Sequence, residues 1–244
     1  NAIAYFNSQN RAVTKEDYVT RVYSLPQKYG AIAKVFIIQD EQLEKNTQTV
    51  IREGRIVKQP NVTPIPNPLA MNFYVLGFNA TKKLTLLNET VKQNLRIYLS
   101  QYRLVTDAIN IKDAYIVNIA VRFSIIVKSG FNKPEVLAKC IDKVKQHFII
   151  DKWQINQPIV LSDISFAISL TDGVQSIVPP EDDNPSKQMV VIENRYRSSN
   201  GYSGNVYDIN TATKDGIVYP SLDPCIFELK FPASDIQGRV VGDS

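Results

Sequence analysis

Between Asp113 and Lys128 apolar residues alternate without interruption. Tyr115, Val117, Ile119, Val121, Phe123, Ile125 and Val127 occupy every second position, so they line one face of a β-strand. We expect Val117, Ile119, Val121, Phe123, Ile125 and Val127 to form an inward face. The opposite face mixes Ile116, Ala120 and Ile126 with Asn118, Arg122, Ser124 and Lys128, which predicts partial cover. At ~3.3 Å per residue an unbroken strand of this length spans about 50 Å. That is long for a globular domain, so a bend or a protruding end is expected.

Elsewhere the apolar spacing lengthens to three and four. Leu87, Val91, Leu95, Tyr98 and Tyr102 form one stripe, predicting a helix over Leu84 to Tyr102. Leu137, Cys140, Ile141, Val144 and Phe148 form another, opposed by Lys139, Asp142, Lys143 and Gln146. Asn132 and Glu135 read as its capping pair, with Pro134 in the first turn.

A capped helix, a glycine and an apolar strand occur together twice. In Thr14 to Ile38, Thr14 is the N-cap and Asp17 its capping-box partner. Tyr18, Val22 and Leu25 share a face, Pro26 and Gly30 end the helix, and Ala31 to Ile38 is the strand. In Leu161 to Val178, Ser162 is the expected cap and Gly173 the end. Met71 to Phe78 reads as a further strand. Glu41 to Gln59 suits a loose hairpin around Gly54, and Pro60, Pro64, Pro66 and Pro68 suit a stiff surface connection.

After Pro179 and Pro180 the chain becomes rich in Tyr, Ser, Asn, Gly and Pro, with short β-like pieces at Met189 to Tyr196 and Cys225 to Phe231. The expected fold class is α+β: repeated helix–strand units packed on small sheets, with a β-rich C-terminal extension. Three segments are expected. Residues 1–82 hold a helix–strand unit with its Pro-rich connection. Residues 83–180 hold an α/β unit with the long strand and two helices. Residues 181–244 form the loop-rich extension.

Composition narrows the function. The 244 residues are 44% hydrophobic and 21% charged, as in an ordinary soluble globular protein. No apolar run approaches the ~20 residues of a membrane helix, so no membrane partner is expected. The 28 basic and 24 acidic residues leave a net charge of +4, too balanced to imply nucleic acid. No charged-then-apolar leader pattern is legible, and the start at Asn1 suggests a fragment of a longer polypeptide. Cys140 and Cys225 are accordingly expected to be unpaired. The sequons at Asn61, Asn79 and Asn88 are expected to be chance matches.

Candidate chemistry is sparse. His147 is the single histidine, so any Ser-His-Asp or Cys-His mechanism would depend on it. Its place near a helix C-terminus suits the helix dipole instead. Glu181, Asp182 and Asp183 lack a calcium-loop pattern and read as a solvated acidic turn. Neither nucleotide-binding glycine motif occurs. No enzyme activity and no cofactor or metal are expected. Arg195, Tyr196 and Arg197, followed by Tyr202 and Tyr207, interleave cations and aromatics. That composition suits a protein–protein surface better than a single-stranded nucleic acid site.

The segments RAVTKEDYVTRVYSLPQKYGAIAKVFII (Arg11 to Ile38), LLNETVKQNLRIYLSQYRLVTDAINIKDAYIVNIAVRFSIIV (Leu86 to Val127) and SDISFAISLTDGVQSI (Ser162 to Ile177) resemble one known pattern. It runs from an aVT-x-EDY helix through a helix ending in a yL dipeptide, here Tyr98-Leu99. A long alternating strand and a final helix–strand with a GV pair, here Gly173-Val174, complete it. In that order, over Arg11 to Val178, the chain resembles the baseplate J-like family, and within it the wedge-ring subunits of contractile-tailed, T-even-type bacteriophages. The segment after Pro180 departs from the simpler members.

The resemblance implies a structural subunit of a virion's tail baseplate, assembled in the host cytoplasm. It would pair with itself as a dimer or ring around the tail hub, bind other baseplate wedge proteins, and rearrange when the sheath contracts. The alternative is a carbohydrate-binding or hydrolase module of the tail, motivated by the Tyr/Asn-rich extension.

Overall fold

The computed structural model describes residues 12–39, 49–52, 55–58, 70–103, 108–180 and 187–242. The fold is α+β, as expected, and divides into two compact units. One comprises residues 1–50, 57–115 and 222–224; the other comprises 51–56, 116–221 and 225–244.

The first unit opens with α1 (Lys15–Tyr23). The Thr14 hydroxyl accepts the Asp17 N–H at 3.1 Å, and the Asp17 carboxylate accepts the N–H of Thr14 at 2.9 Å. This reciprocal box satisfies donors that the first helical turn leaves open. Tyr18, Val22 and Leu25 are buried as the spacing predicted. The helix stops at Tyr23, Pro26 starts a short 3-10 turn (Gln27–Tyr29), and Gly30 redirects the chain with φ +119°. β1 (Lys34–Gln39) then runs antiparallel to β4 (Ala70–Phe78), pairing Lys34 with Leu76 and Gln39 with Met71.

β4 is central. Its other edge carries β5 (Leu84–Thr85), antiparallel, and β6 (Ala108–Asp113), parallel. One β4 face, Met71, Phe73 and Val75, packs with Tyr18, Val22, Val35, Ile37, Leu95 and Leu99 into an apolar core. Tyr18 meets Phe73 edge-on at 5.6 Å.

α2 (Glu89–Ser100) is shorter than the predicted Leu84 to Tyr102. Leu84 and Thr85 pair with β4 instead, and the Asn88 side chain accepts the Val91 N–H at 2.9 Å, fixing the helix start. The sequon asparagines Asn88 and Asn79 thus have local roles, a cap and a turn in which the Asn79 side chain accepts from Thr81 and Lys83. Asn61, Gly54 and the four prolines lie outside the described residues. β2 (Thr49–Arg52) and β3 (Arg55–Lys58) pair with each other.

In the second unit β7 (Tyr115–Val127) is the central strand. The long alternating segment is interrupted at Ala114, so Asp113 ends β6 and Tyr115 begins β7. A register shift at Ile126/Val127 adds an irregularity at the far end. Val117, Ile119, Val121, Phe123 and Ile125 are buried, and Val127 is half-buried.

β9 (Val174–Val178) and β10 (Val190–Asn194) pair antiparallel to β7; β14 (Ile236–Val240) pairs parallel, and β13 (Cys225–Glu228) also joins it. A small sheet of β8 (Ile159–Val160), β12 (Ile217–Val218) and β11 (Thr213–Lys214) stands apart from it. α3 (Lys133–His147) lies against β14, where Gly238 leaves no room for a Cβ beneath Leu137 and Phe123.

α3 buries Val136, Cys140, Val144 and the following Phe148, with Leu137 and Ile141 half-buried. Two expected caps are absent. Asn132 makes no side-chain cap bond, and Pro134 reduces the need by removing one N–H from the first turn. Ser162 is not the cap of α4 (Leu161–Ser169) either, because Val160 occupies that position. Ile159 and Val160 are committed to β12, so the helix starts directly from the strand, and the Leu161 N–H is taken by the Gly216 carbonyl at 2.9 Å. Gly173, φ +90°, lies beyond the helix end and leads into β9.

Candidate interaction surface

The loop that follows β10 covers the mixed face of β7 at Asn118. Asn118, in mid-strand and fully buried, organises it. Its amide donates to Glu228 at 2.8 Å, its side-chain oxygen accepts the Ser203 N–H at 2.7 Å, and its carbonyl accepts the Arg195 N–H at 2.8 Å. The Ile116 carbonyl accepts from the Ser203 hydroxyl and the Asn205 amide. Asn194 closes the network by donating to the Asn118 carbonyl and accepting from the Tyr207 N–H. A buried amide left unpaired is costly, so this network fixes the loop in one arrangement.

The five residues anticipated for the surface separate into two kinds. Tyr202 and Tyr207 are half-buried and tied down by hydrogen bonds and ring contacts. The Tyr202 hydroxyl donates to Asp235 at 2.5 Å, and its ring meets Phe231 at 5.4 Å. Burial, then the Asp235 carboxylate, raise its pKa above the usual tyrosine value. Tyr207 donates to the Tyr219 carbonyl at 2.7 Å and packs on Phe227. Burial pushes its hydroxyl well above the ordinary range. Both act as loop anchors.

Tyr196 and Arg197 are exposed, whereas Arg195 is half-buried and pairs with Glu193 at 3.5 Å. Glu193 also pairs with Arg122 at 2.7 Å. Residue spacing did not single out Phe231, Lys230 or Asp235 as part of this region. Asp235 accepts the Phe231 N–H at 2.8 Å and so clamps that turn to Tyr202. The one usable signal was Asn118, a polar residue on the mixed face of the alternating strand.

Apolar surface is exposed elsewhere in this unit too. Phe166 and Leu170, one helical turn apart at the end of α4, are 64% and 68% exposed. In the first unit Val13 and Ile97 are exposed to a similar degree.

The other candidate chemistry resolves into packing. His147 is the last residue of α3, beside the rings of Phe148 at 5.0 Å and Trp153 at 5.8 Å. Burial lowers its pKa, and Asp163 opposes the shift. Cys140 and Cys225 are buried and not joined in a disulfide, and the Cys225 sulfur accepts the Ser221 N–H at 3.4 Å. Among the described residues no cluster of His, Cys, Asp and Glu is placed to hold a metal, and no helix is long and apolar enough to cross a membrane. Glu181, Asp182 and Asp183 lie outside the described residues.

No family model matches this sequence, and no curated protein does. Among solved structures the chain is similar to a chain of the cryo-EM structure of the anti-feeding prophage (AFP) baseplate, 6-fold symmetrised, with a TM-score of 0.50 at 9% identity. The match covers 93% of this chain and 40% of that one, so this chain spans about two fifths of its neighbour's length, and the likeness is one of fold.

Proposed function

We propose that the chain is a structural, non-enzymatic part of the baseplate of a contractile tail or injection machine. The carrying observation is a fold likeness over 93% of the chain to a baseplate chain, at a TM-score of 0.50. The finer reading is a wedge-ring subunit of the baseplate J-like family in a virion's tail. It pairs with itself around the tail hub, contacts other wedge proteins and rearranges on contraction. The exposed Phe166 and Leu170, and the surface around Tyr196 and Arg197, suit association.

Light scattering and sedimentation across a wide concentration range test this reading. A concentration-dependent dimer or ring is expected. A strict monomer at the highest concentrations removes self-pairing through this region. Selective retention on a glycan panel would move the chain to the tail-module alternative.

A further inference from the structure

The carboxylates near the loop after β10 are already committed. Glu193 is shared by Arg122 and Arg195, and the buried Asp235 is taken by the Tyr202 hydroxyl and the Phe231 N–H. Arg197 and Lys230 have no carboxylate partner among the described residues. The segments that carry these two cations approach each other at Phe231. Arg197 precedes the 3-10 turn Ser198–Asn200, and a Cβ on Gly201 at its end would lie 3.4 Å from the tip of the Phe231 ring. Lys230 directly precedes Phe231. Tyr196 and Phe231, the sequence neighbours of Arg197 and Lys230, are 45% and 38% exposed, while Arg197 is exposed and Lys230 half-buried.

We infer that Tyr196, Arg197, Lys230 and Phe231 form a docking patch for an acidic segment of a partner protein, one that sets carboxylates beside an apolar side chain. Charge complementarity selects that partner: the patch offers two uncommitted cations and no uncommitted carboxylate among its described residues. Two cations are few for tracking a phosphate backbone, where affinity grows with each phosphate neutralised. The inference rests on the structural-subunit reading and specifies the chemistry of one of its contacts. Tyr202, Asp235 and Asn118 position the patch without being part of it.

Fluorescence anisotropy with the 244-residue chain tests this. The probes are a labelled peptide of Glu and Asp alternating with Leu and Phe, its Gln/Asn counterpart, and a single-stranded oligothymidylate. The acidic peptide should bind at least roughly tenfold more tightly than the neutral one, and added salt should weaken it. Arg197→Glu combined with Lys230→Glu should remove that preference while leaving the thermal unfolding profile unchanged. Lys214→Glu, an exposed cation on β11, should change nothing.

Three results would overturn the patch: no binding of the acidic peptide, equal binding of the double variant, or tighter binding of the oligothymidylate. Self-association is read separately by sedimentation. An associating chain that ignores the acidic peptide loses only this inference, whereas a strict monomer that binds it loses the self-pairing reading.

Discussion

Asn118 shows how much one polar residue decides. In an alternating strand it marks a face that water or a polar partner must cover, and the structure supplies Ser203, Glu228 and the loop backbone. Asn118→Leu keeps the volume but strands the Ser203 N–H and removes a donor to Glu228. A loss of about 3 kcal/mol in unfolding free energy is expected, since each unpaired buried group costs about 1–3 kcal/mol. Urea titration would measure it, and a change under roughly 0.5 kcal/mol would show that the network is dispensable.

His147 gives a pH dependence at the same scale. Burial holds its folded pKa below the unfolded value of about 6.5, so as pH falls the unfolded chain takes up the proton first. Its contribution to stability is therefore complete above about pH 6.5 and is lost as pH falls toward and through the folded value. His147→Phe, which keeps a ring against Phe148 and Trp153, should flatten the fall in melting temperature between about pH 7 and pH 5. An unchanged slope would assign that dependence to other groups.

At the scale of elements, the two helix–glycine–strand segments share a physical device. Gly30 and Gly173 both have positive φ, and a Cβ at either would lie 2.6 Å from a valine methyl, on Val91 of α2 or Val136 of α3. Glycine therefore allows both the turn and the close approach of a helix. Gly130 separates these effects, because its φ is +88° with nothing within 4 Å of a Cβ. Gly130→Ala should cost about 1 kcal/mol from backbone strain alone. Gly173→Ala should cost about 2–4 kcal/mol, because overpacking is added. Similar melting shifts for the two variants would mean that α3 yields readily.

Element boundaries were less legible than these devices. The apolar stripe of α2 continues back through Leu87, yet Leu84 and Thr85 gain partners on β4 that the stripe cannot reveal. Ser162 looks like a cap until β12 claims the two residues before the helix. Pairing across the chain overrode local propensity in both cases.

At the scale of the whole molecule, β7 draws its neighbours from far along the chain. Of the strands paired with it, β10, β13 and β14 come after residue 180. A chain ending at Pro180 would keep β9 but leave the edges that β10, β13 and β14 cover unpaired, and it would uncover Asn118. Unpaired edges promote aggregation. We expect that truncation to be insoluble or to lose cooperative unfolding. A soluble, cooperatively folding 1–180 fragment would instead establish the extension as a separable segment.

Periodicity alone determined the α+β class, the buried face of β7, the core positions Tyr18, Val22 and Leu25, and the stripe of α3, because each rests on neighbours within one element. The tertiary structure decided what nonlocal pairing controls. It broke the long alternation at Ala114 and brought β14 parallel to β7. It laid the Ser203 loop over Asn118 and tied Tyr202 and Tyr207 to Asp235 and the Tyr219 carbonyl, while leaving Tyr196 and Arg197 exposed. A sequence pattern records which residues avoid water, whereas the partner that excludes it is chosen by the folded chain.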